Sequence, residues 1–260
     1  MRPDRVGALR AERAEMLRFS RELDDTEWRA ASCAPGWRVQ DVVTHLAAGC
    51  RAVFTPAVLS IMRSRDIERT NDEFVDRCRD WPPRRTLAEY ERWSARLATA
   101  AGVVGHGPVS RIPLPLAELG RFPAGLLLAG AMTFDHHTHL RHDMAPALGR
   151  PVPGTDAARM GTVLEWMFAV LRNQLRSADP SWLTRPLDVV LDGPGGGGWR
   201  VGPGPVVAAG VTGGAAATIT CPATDFPEWA TCRAAWRDRD VRISGDAEYA
   251  ARFLDSVRVV

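Results

Sequence analysis

Four of the six histidines in this 260-residue chain lie within seven residues of one another: His136, His137, His139 and His142. Asp135 directly precedes them, so several groups that can bind a metal or move a proton are close together in the sequence. At roughly 100° per residue, an α-helix places Asp135, His139 and His142 on one face, each about one turn from the next. Leu128 and Met132 continue this face upstream, at the spacing of residues that point into the core of a helical bundle.

A stripe of ionisable side chains in a helical core requires partners, because burying a carboxylate and two imidazoles alone would cost several kcal/mol. Asp-x3-His on one helix face is a spacing that chelates metal ions, by the same geometry as His-x3-His. His45, on the apolar face of an earlier predicted helix, is placed to supply a third ligand. The alternative is a hydrogen-bonded core network with His45 as an ordinary core histidine, and the spacing leaves both open. His136 and His137 point away from this face, and we expect them at the surface or behind the ligands.

The elements that must hold these residues are predicted to be helices. Apolar residues at helical spacing predict five of them, over about residues 4–23, 39–62, 86–101, 124–148 and 155–176. The later part of the chain has β-rich runs at about 187–191, 199–201, 206–207, 217–221 and 241–244, and a last helix at about 246–256. We therefore predict an α+β fold, in which residues 1–183 form a four-helix bundle with an accessory helix and residues 184–260 form a small α+β domain.

The charge balance excludes some classes of protein. Thirty-three basic residues face 31 acidic ones, and a net charge of +2 is too small for nonspecific binding of nucleic acid. Every basic residue is an arginine, which excludes a lysine Schiff base and indicates a GC-rich, actinobacterial type of genome. No apolar run reaches the roughly 20 residues that span a bilayer, and the first residues are too charged for a signal peptide. We expect a cytoplasmic monomer or homodimer that binds neither nucleic acid nor a membrane.

The five cysteines are odd in number, far apart in the sequence and without a CxxC pair: Cys33, Cys50, Cys78, Cys221 and Cys232. This pattern argues against a disulfide framework or a cysteine-rich zinc site, and predicts small, buried, reduced side chains. His106 lies in a loop rich in proline and glycine, where we expect no functional role.

The segment that leads into His45 resembles a family signature. Residues 36–46 read GWRVQDVVTHL, which resembles the GW-x-V-x-D-V-x-x-H-L pattern of the mycothiol-dependent maleylpyruvate isomerase family, in the DinB-like superfamily. The resemblance extends over nearly the whole chain and implies a DinB-like bundle followed by a small α+β domain. It also implies a divalent metal, expected to be zinc, held by His45, Asp135 and His139. Asp135 stands where the family as a rule has glutamate, and His142 stands where it often has aspartate.

Two imidazoles and one carboxylate leave a coordination position open, as in catalytic zinc sites. A thiol that enters this position loses its proton to become a nucleophile for activated double bonds or for carbons with a leaving group. No cysteine lies in these motifs, so we expect the thiol as a cosubstrate, and the resemblance implies mycothiol. The sequence favours a thiol S-transferase acting on a small electrophilic metabolite, for example in natural-product biosynthesis. The alternatives are a mycothiol-dependent cis–trans isomerase of the maleylpyruvate type and a non-catalytic binding or regulatory protein.

Three further residues are candidates for the same reaction. His142 lies about 10 Å from Asp135 along the helix axis, at 1.5 Å per residue, so one ion is not expected to bind both. We expect His142 to donate a proton during turnover or to orient a metal ligand by a hydrogen bond. Arg233 and Arg242 in the C-terminal domain are candidates for holding mycothiol, and ordinary solvated arginines are the alternative.

Overall fold

The computed structural model describes residues 4–105, 107–204 and 206–259, and His106 therefore lies outside the described residues. The chain has the predicted α+β composition. Its described residues form two compact units that divide between Gly154 and Thr155. The helix Ala157–Ala178 is grouped with the C-terminal unit, whereas the sequence analysis assigned it to the first domain. The predicted domain boundary between residues 183 and 184 stays a prediction.

The N-terminal unit contains seven described helices: α1 Arg5–Arg21, α2 Asp25–Arg29, α3 Val39–Ala52, α4 Ala57–Arg63, α5 Ile67–Asp76, α6 Pro83–Val104 and α7, which covers residues 124–144. The long helices α1, α3, α6 and α7 form the predicted bundle, with α3 against α6 and α1 against both α6 and α7. Between α6 and α7 lies an antiparallel hairpin of β1 Pro113–Leu116 and β2 Gly120–Pro123.

The second predicted helix is interrupted. The sequence predicted one helix over about 39–62, but α3 ends at Ala52 and α4 begins at Ala57 after a bend of 99°. Pro56 lies in this break, and a proline disfavours helical backbone at the residue before it and removes a backbone donor. Within the described residues, no single helix has the length and apolar character of a membrane span. Helices α3 and α4 meet that criterion only when they are taken together across the bend.

Helix α7 is not a regular α-helix. Its segments Leu126–Ala131 and His139–Met144 are π-helical, and the α-helical segment Met132–Thr138 lies between them. The backbone N–H of Ala145 donates to the carbonyl of Leu140 at 3.0 Å, which is the five-residue step of a π-helix. Turns of this kind occur frequently at functional sites, and here one begins at the predicted ligand His139.

The C-terminal unit is built on one sheet. Its elements are α8 Ala157–Ala178, β3 Leu187–Asp192, β4 Gly197–Gly202, β5 Val206–Ala209, β6 Ala217–Pro222, α9 Phe226–Ala230, β7 Arg242–Gly245 and α10 Ala247–Ser256. The strand order is β5-β4-β3-β6-β7, with β3 and β6 parallel and the other pairs antiparallel. Phe168 of α8 stacks on Trp199 of β4, with ring centroids 4.2 Å apart, and so joins helix and sheet. Each β-rich run predicted from the sequence overlaps one of these five strands.

Candidate functional site

Helices α3 and α7 bring two predicted ligands together. The ring centroids of His45 on α3 and His139 on α7 are 5.1 Å apart, with the ring planes at 69°. The indole of Trp37 covers both rings, at 5.0 Å from His45 and 6.1 Å from His139. Trp37 is itself oriented by its Nε1, which donates to the Asp72 carboxylate on α5 at 2.8 Å. Two imidazoles from separate helices therefore share one small, largely buried environment.

Most of the signature around His45 serves to build α3. Val39, Val42 and Leu46 are fully buried in the bundle core. Asp41 accepts hydrogen bonds from the backbone N–H of Arg38 at 2.9 Å and from its guanidinium at 3.0 Å, which stabilises the first turn of the helix. Capping and core packing thus explain these positions. His45 and Trp37 are the residues of the signature that lie in the candidate site.

A buried carboxylate orients His139. The Nδ1 of His139 lies 2.6 Å from Oδ2 of Asp143, whose side chain is fully buried. Since a carboxylate only accepts, Nδ1 carries the proton, and in the neutral ring Nε2 keeps its lone pair. A carboxylate bound to the far nitrogen is the usual support of a metal-ligating histidine, because it fixes the tautomer and raises the basicity of the ligand. Asp143 is thus a candidate site residue that the sequence analysis missed.

The π-helical turn explains why Asp143 was missed. An i→i+5 helix has more residues per turn than an α-helix, so a residue three positions on falls short of one full turn. Asp143, four positions after His139, therefore lies nearer to the same side of the helix as His139 than His142 does. His142 is only three positions after His139. The assumption of 100° per residue, which placed His142 on the stripe, is wrong from His139 onward. His142 is half-buried, and its role as a proton donor stays a prediction.

Asp135 on α7 is close enough to α3 for its charge to act on a residue of that helix. Burial raises the pKa of the Cys50 thiol on α3 far above its usual value, and the charge of Asp135 raises it further. Among residues 4–105, 107–204 and 206–259, however, no group of three or more His, Cys, Asp or Glu side chains is arranged to hold a metal ion. The pair of imidazoles is present, and Asp135 as the third ligand stays a prediction.

His136 and His137 are fully buried, so a surface position is wrong for both, and a position behind the metal ligands stays a prediction. The reason is that α7 is covered by α1, α3 and α6, which leaves little of its circumference exposed. The Nδ1 of His136 donates to the carbonyl of Met132 at 2.6 Å, and its ring lies 5.6 Å from that of Tyr90. Burial lowers the pKa of His136 to about 4, so this imidazole is neutral at pH 7.

The two buried cysteines offer no evident nucleophile. None of the five, all of which are described, forms a disulfide. Cys50 and Cys221 are buried as predicted, whereas Cys33 and Cys232 are exposed, contrary to the expectation. Burial raises the pKa of Cys221 to about 12, so this thiol stays protonated at neutral pH, as does that of Cys50.

The two arginines predicted to hold mycothiol are exposed in the C-terminal unit. Arg233 donates from Nη1 to Oγ1 of Thr231 at 2.9 Å. Arg242 on β7 lies 3.3 Å from Asp192 at the end of β3, with most of its side chain in solvent. Contacts of this kind are typical of solvated arginines. Their proposed role in binding a thiol stays a prediction.

Replacing Asp143 with asparagine is expected to weaken metal binding without unfolding the bundle. The amide has nearly the same shape but no negative charge, so His139 loses the acceptor that fixes its tautomer and raises its basicity. We expect the affinity for zinc to fall about 10- to 100-fold, measured by competition with a chromophoric chelator. Asp76→Asn, an exposed change on α5, serves as the control. Equal zinc affinity in Asp143→Asn and the unmodified protein would remove Asp143 from the site.

Comparison with known proteins identifies the family and the fold of the chain. The family model described as mycothiol maleylpyruvate isomerase N-terminal domain matches residues 9–145, which include both histidines and the π-helical turn. Crystal structures of the mycothiol-dependent maleylpyruvate isomerase and of a histidine-to-alanine mutant share the fold, each with a TM-score of 0.54. They are 17% and 16% identical to this chain and cover 93% of it and 92% of their own length. No curated protein matches the sequence. Because the family model spans more than half of its length, the chain belongs to the mycothiol maleylpyruvate isomerase N-terminal domain family.

Proposed function

We propose that this chain is a metal-dependent enzyme that uses mycothiol to isomerise a small metabolite containing an activated double bond. The observation that carries the proposal is the imidazole pair of His45 and His139, 5.1 Å apart, with Asp143 bound to the second of them. The family and the shared fold support it, because the similar crystal structures are those of a mycothiol-dependent isomerase.

The residues that would hold the metal are His45, His139 and Asp135. Zinc fits such a set of two nitrogen ligands and one oxygen ligand, since catalytic zinc sites keep one position open for water or substrate. When bound, the cation lowers the pKa of an entering thiol and makes a thiolate available at neutral pH. The tautomer of His139 supports this assignment, because its Nε2 lone pair is available for a ligand bond.

The protein's own side chains have separate tasks in this proposal. Asp143 holds the proton on Nδ1 of His139, and Trp37 covers one side of both imidazoles and keeps water away from them. Thiol addition to the double bond leaves a single bond that can rotate, and loss of the same thiol restores the double bond in the other geometry. The carbanion formed on addition requires a proton or a nearby cation, and His142 is the residue that we assign to supply the proton.

An S-transferase was the first expectation from the sequence, and the comparisons favour the isomerase over it. Both reactions begin with the same thiol addition and would use the same residues. They differ in the fate of the thiol, which is released by an isomerase and retained in the product of a transferase. Thiol balance therefore separates the two functions.

The test of the proposed function is a thiol balance with maleylpyruvate as substrate. We expect the zinc-loaded enzyme and mycothiol to yield the trans isomer, followed by proton NMR, while the total thiol measured by titration stays constant. Loss of one thiol per product would identify a transferase instead. No conversion at any mycothiol concentration would reject maleylpyruvate as the substrate and leave the isomerase proposal without support.

Dependence on an external thiol is a separate prediction. Changing all five cysteines to serine is expected to leave turnover within about twofold, because the buried thiols stay protonated and none lies in the site motifs. The melting temperature of the variant shows whether the fold has tolerated the changes. Turnover by the unmodified protein in thiol-free buffer would contradict the cosubstrate role of mycothiol.

His142→Ala is expected to retain the metal and to lower turnover by about 10²-fold, the low end for general acid–base catalysis. Metal content and the pH dependence of turnover are measured together, since a histidine that donates a proton should leave its titration in the profile. Loss of metal would make His142 a ligand and displace Asp135 from that role. An unchanged rate would show that His142 takes no part.

A further inference from the structure

A second concave site lies in the N-terminal unit, between α3, α4, α5 and α6. It is a pocket of about 410 Å³, which is within the size range of pockets that bind small molecules. Helix α3 contributes Thr44 and Arg51 to its wall, and α5, α6 and the segment between them contribute aromatic side chains. His45, His139 and Asp135 are not among its lining residues, so the pocket is a different site from the imidazole pair.

The walls of the pocket are aromatic. Phe74, Trp81 and Trp93 line it, and the small side chains of Ala47 and Ala52 form a buried apolar part of its surface. Flat rings of this kind bind a flat ligand by stacking or by edge-to-face contact. Phe54 already stacks on Trp93, with ring centroids 6.0 Å apart, and the composition of the remaining wall fits an aromatic or conjugated body.

The charge in the pocket is positive and incompletely neutralised. The Arg51 guanidinium lies 6.0 Å from the Trp93 ring and, among the described residues, makes no ion pair. Arg77 pairs loosely with the exposed Glu73, at 3.7 Å. The acidic lining residue, Glu89, already accepts a hydrogen bond from Nε1 of Trp93 at 2.8 Å. The guanidinium of Arg51 is exposed to solvent and is therefore available to an anion that enters the pocket.

The charged groups around Cys78, in the wall of the pocket, show the same excess of positive charge. Burial raises the pKa of its thiol, and the carboxylate of Glu89 raises it as well. Three guanidinium groups act in the opposite direction: Arg51, Arg85 and Arg77. A negative charge at this point would therefore meet more cations than anions.

We propose that this pocket binds a small aromatic carboxylate, with its ring against Trp93 and its carboxylate paired with Arg51. Arginine binds carboxylates through two parallel N–H···O bonds, and the aromatic walls remove the ring of the ligand from water. A neutral aromatic ligand would leave the arginine without an anion, and an inorganic anion would make no use of the three aromatic side chains. The proposal does not depend on the metal site or on the isomerase reaction.

The test is a titration with 2-naphthoate, followed by isothermal titration calorimetry, with 2-naphthamide as the neutral ligand of the same shape. We expect naphthoate to bind at one site per chain and naphthamide to bind at least about tenfold more weakly, as charged hydrogen bonds contribute that much. Arg51→Gln is expected to weaken naphthoate binding by about tenfold or more. Ala48→Phe, which extends a ring into the pocket from α3, is expected to abolish it.

Arg96→Gln is the matched control. Its guanidinium lies 4.7 Å from the same Trp93 ring but does not line the pocket, so this variant should bind naphthoate as the unmodified protein does. Circular dichroism checks that each variant is folded. Absence of naphthoate binding, equal affinity for acid and amide, or unchanged binding by Arg51→Gln would overturn the proposal. Equal weakening by Arg96→Gln, or full binding by Ala48→Phe, would also overturn it by placing the ligand elsewhere.

Discussion

His45→Ala is expected to lose bound metal and catalytic activity together, while the protein keeps its helical circular dichroism. The substitution removes one of the two imidazoles that lie 5.1 Å apart, so an ion would retain only His139 and the predicted ligand Asp135. The loss of zinc affinity should exceed the roughly 10- to 100-fold effect of losing a supporting hydrogen bond. Metal content is measured on untagged protein, because a histidine tag binds zinc itself.

The fold is expected to survive this change because α3 is anchored by other residues. Val39, Val42 and Leu46 are fully buried, and Asp41 stabilises the first turn. His142→Ala serves as the matched control, since it removes an imidazole from α7 but is expected to leave the metal bound. Full zinc occupancy in His45→Ala would exclude this histidine as a ligand and would return it to the role of a core residue beside Trp37.

The sequence predicted the long helices well because the spacing of apolar residues along a helix indicates which of its side chains are buried. Four of the predicted helices correspond to α1, α3, α6 and α7, and a fifth corresponds to α8. The break after α3 was missed because the apolar pattern continues beyond Ala52, although Pro56 was a visible signal for it. Periodicity alone does not show where a helix bends.

The candidate site was predicted only in part, because its details depend on tertiary packing. His45 and His139 were singled out from spacing and from the family signature, and the structure brings them together. The π-helical turn at His139 cannot be recognised from a periodicity that assumes α-helix throughout, so Asp143 was passed over in favour of its neighbour. The burial of His136 likewise follows from the central position of α7, which the sequence does not reveal.

Arg141→Met is expected to cost about 3–5 kcal/mol of unfolding free energy, the range for removing one partner of a buried ion pair. The Arg141 side chain on α7 is almost fully buried, and its Nη1 donates to the fully buried carboxylate of Glu12 on α1 at 2.7 Å. Its other nitrogens donate to the carbonyls of Pro153 and Gly154 at 3.0 and 2.9 Å. Methionine fills a similar volume, so the loss comes chiefly from the ion pair and these hydrogen bonds and not from packing.

The double variant Glu12→Met/Arg141→Met distinguishes this cause from lost packing. If the cost of Arg141→Met comes from a carboxylate buried without its cation, removing the carboxylate as well should recover part of the stability, and the two effects will not add. Arg69→Met is the control on α5, where the guanidinium is 79% exposed and 3.7 Å from Glu73, and it should cost no more than about 1 kcal/mol. Denaturant unfolding measures these three variants and the single variant Glu12→Met, which completes the cycle. A loss below about 1 kcal/mol for Arg141→Met would equal that of the exposed pair. It would mean that this ion pair does not stabilise the packing of α1 on the π-helical turn that carries His139 and Asp143.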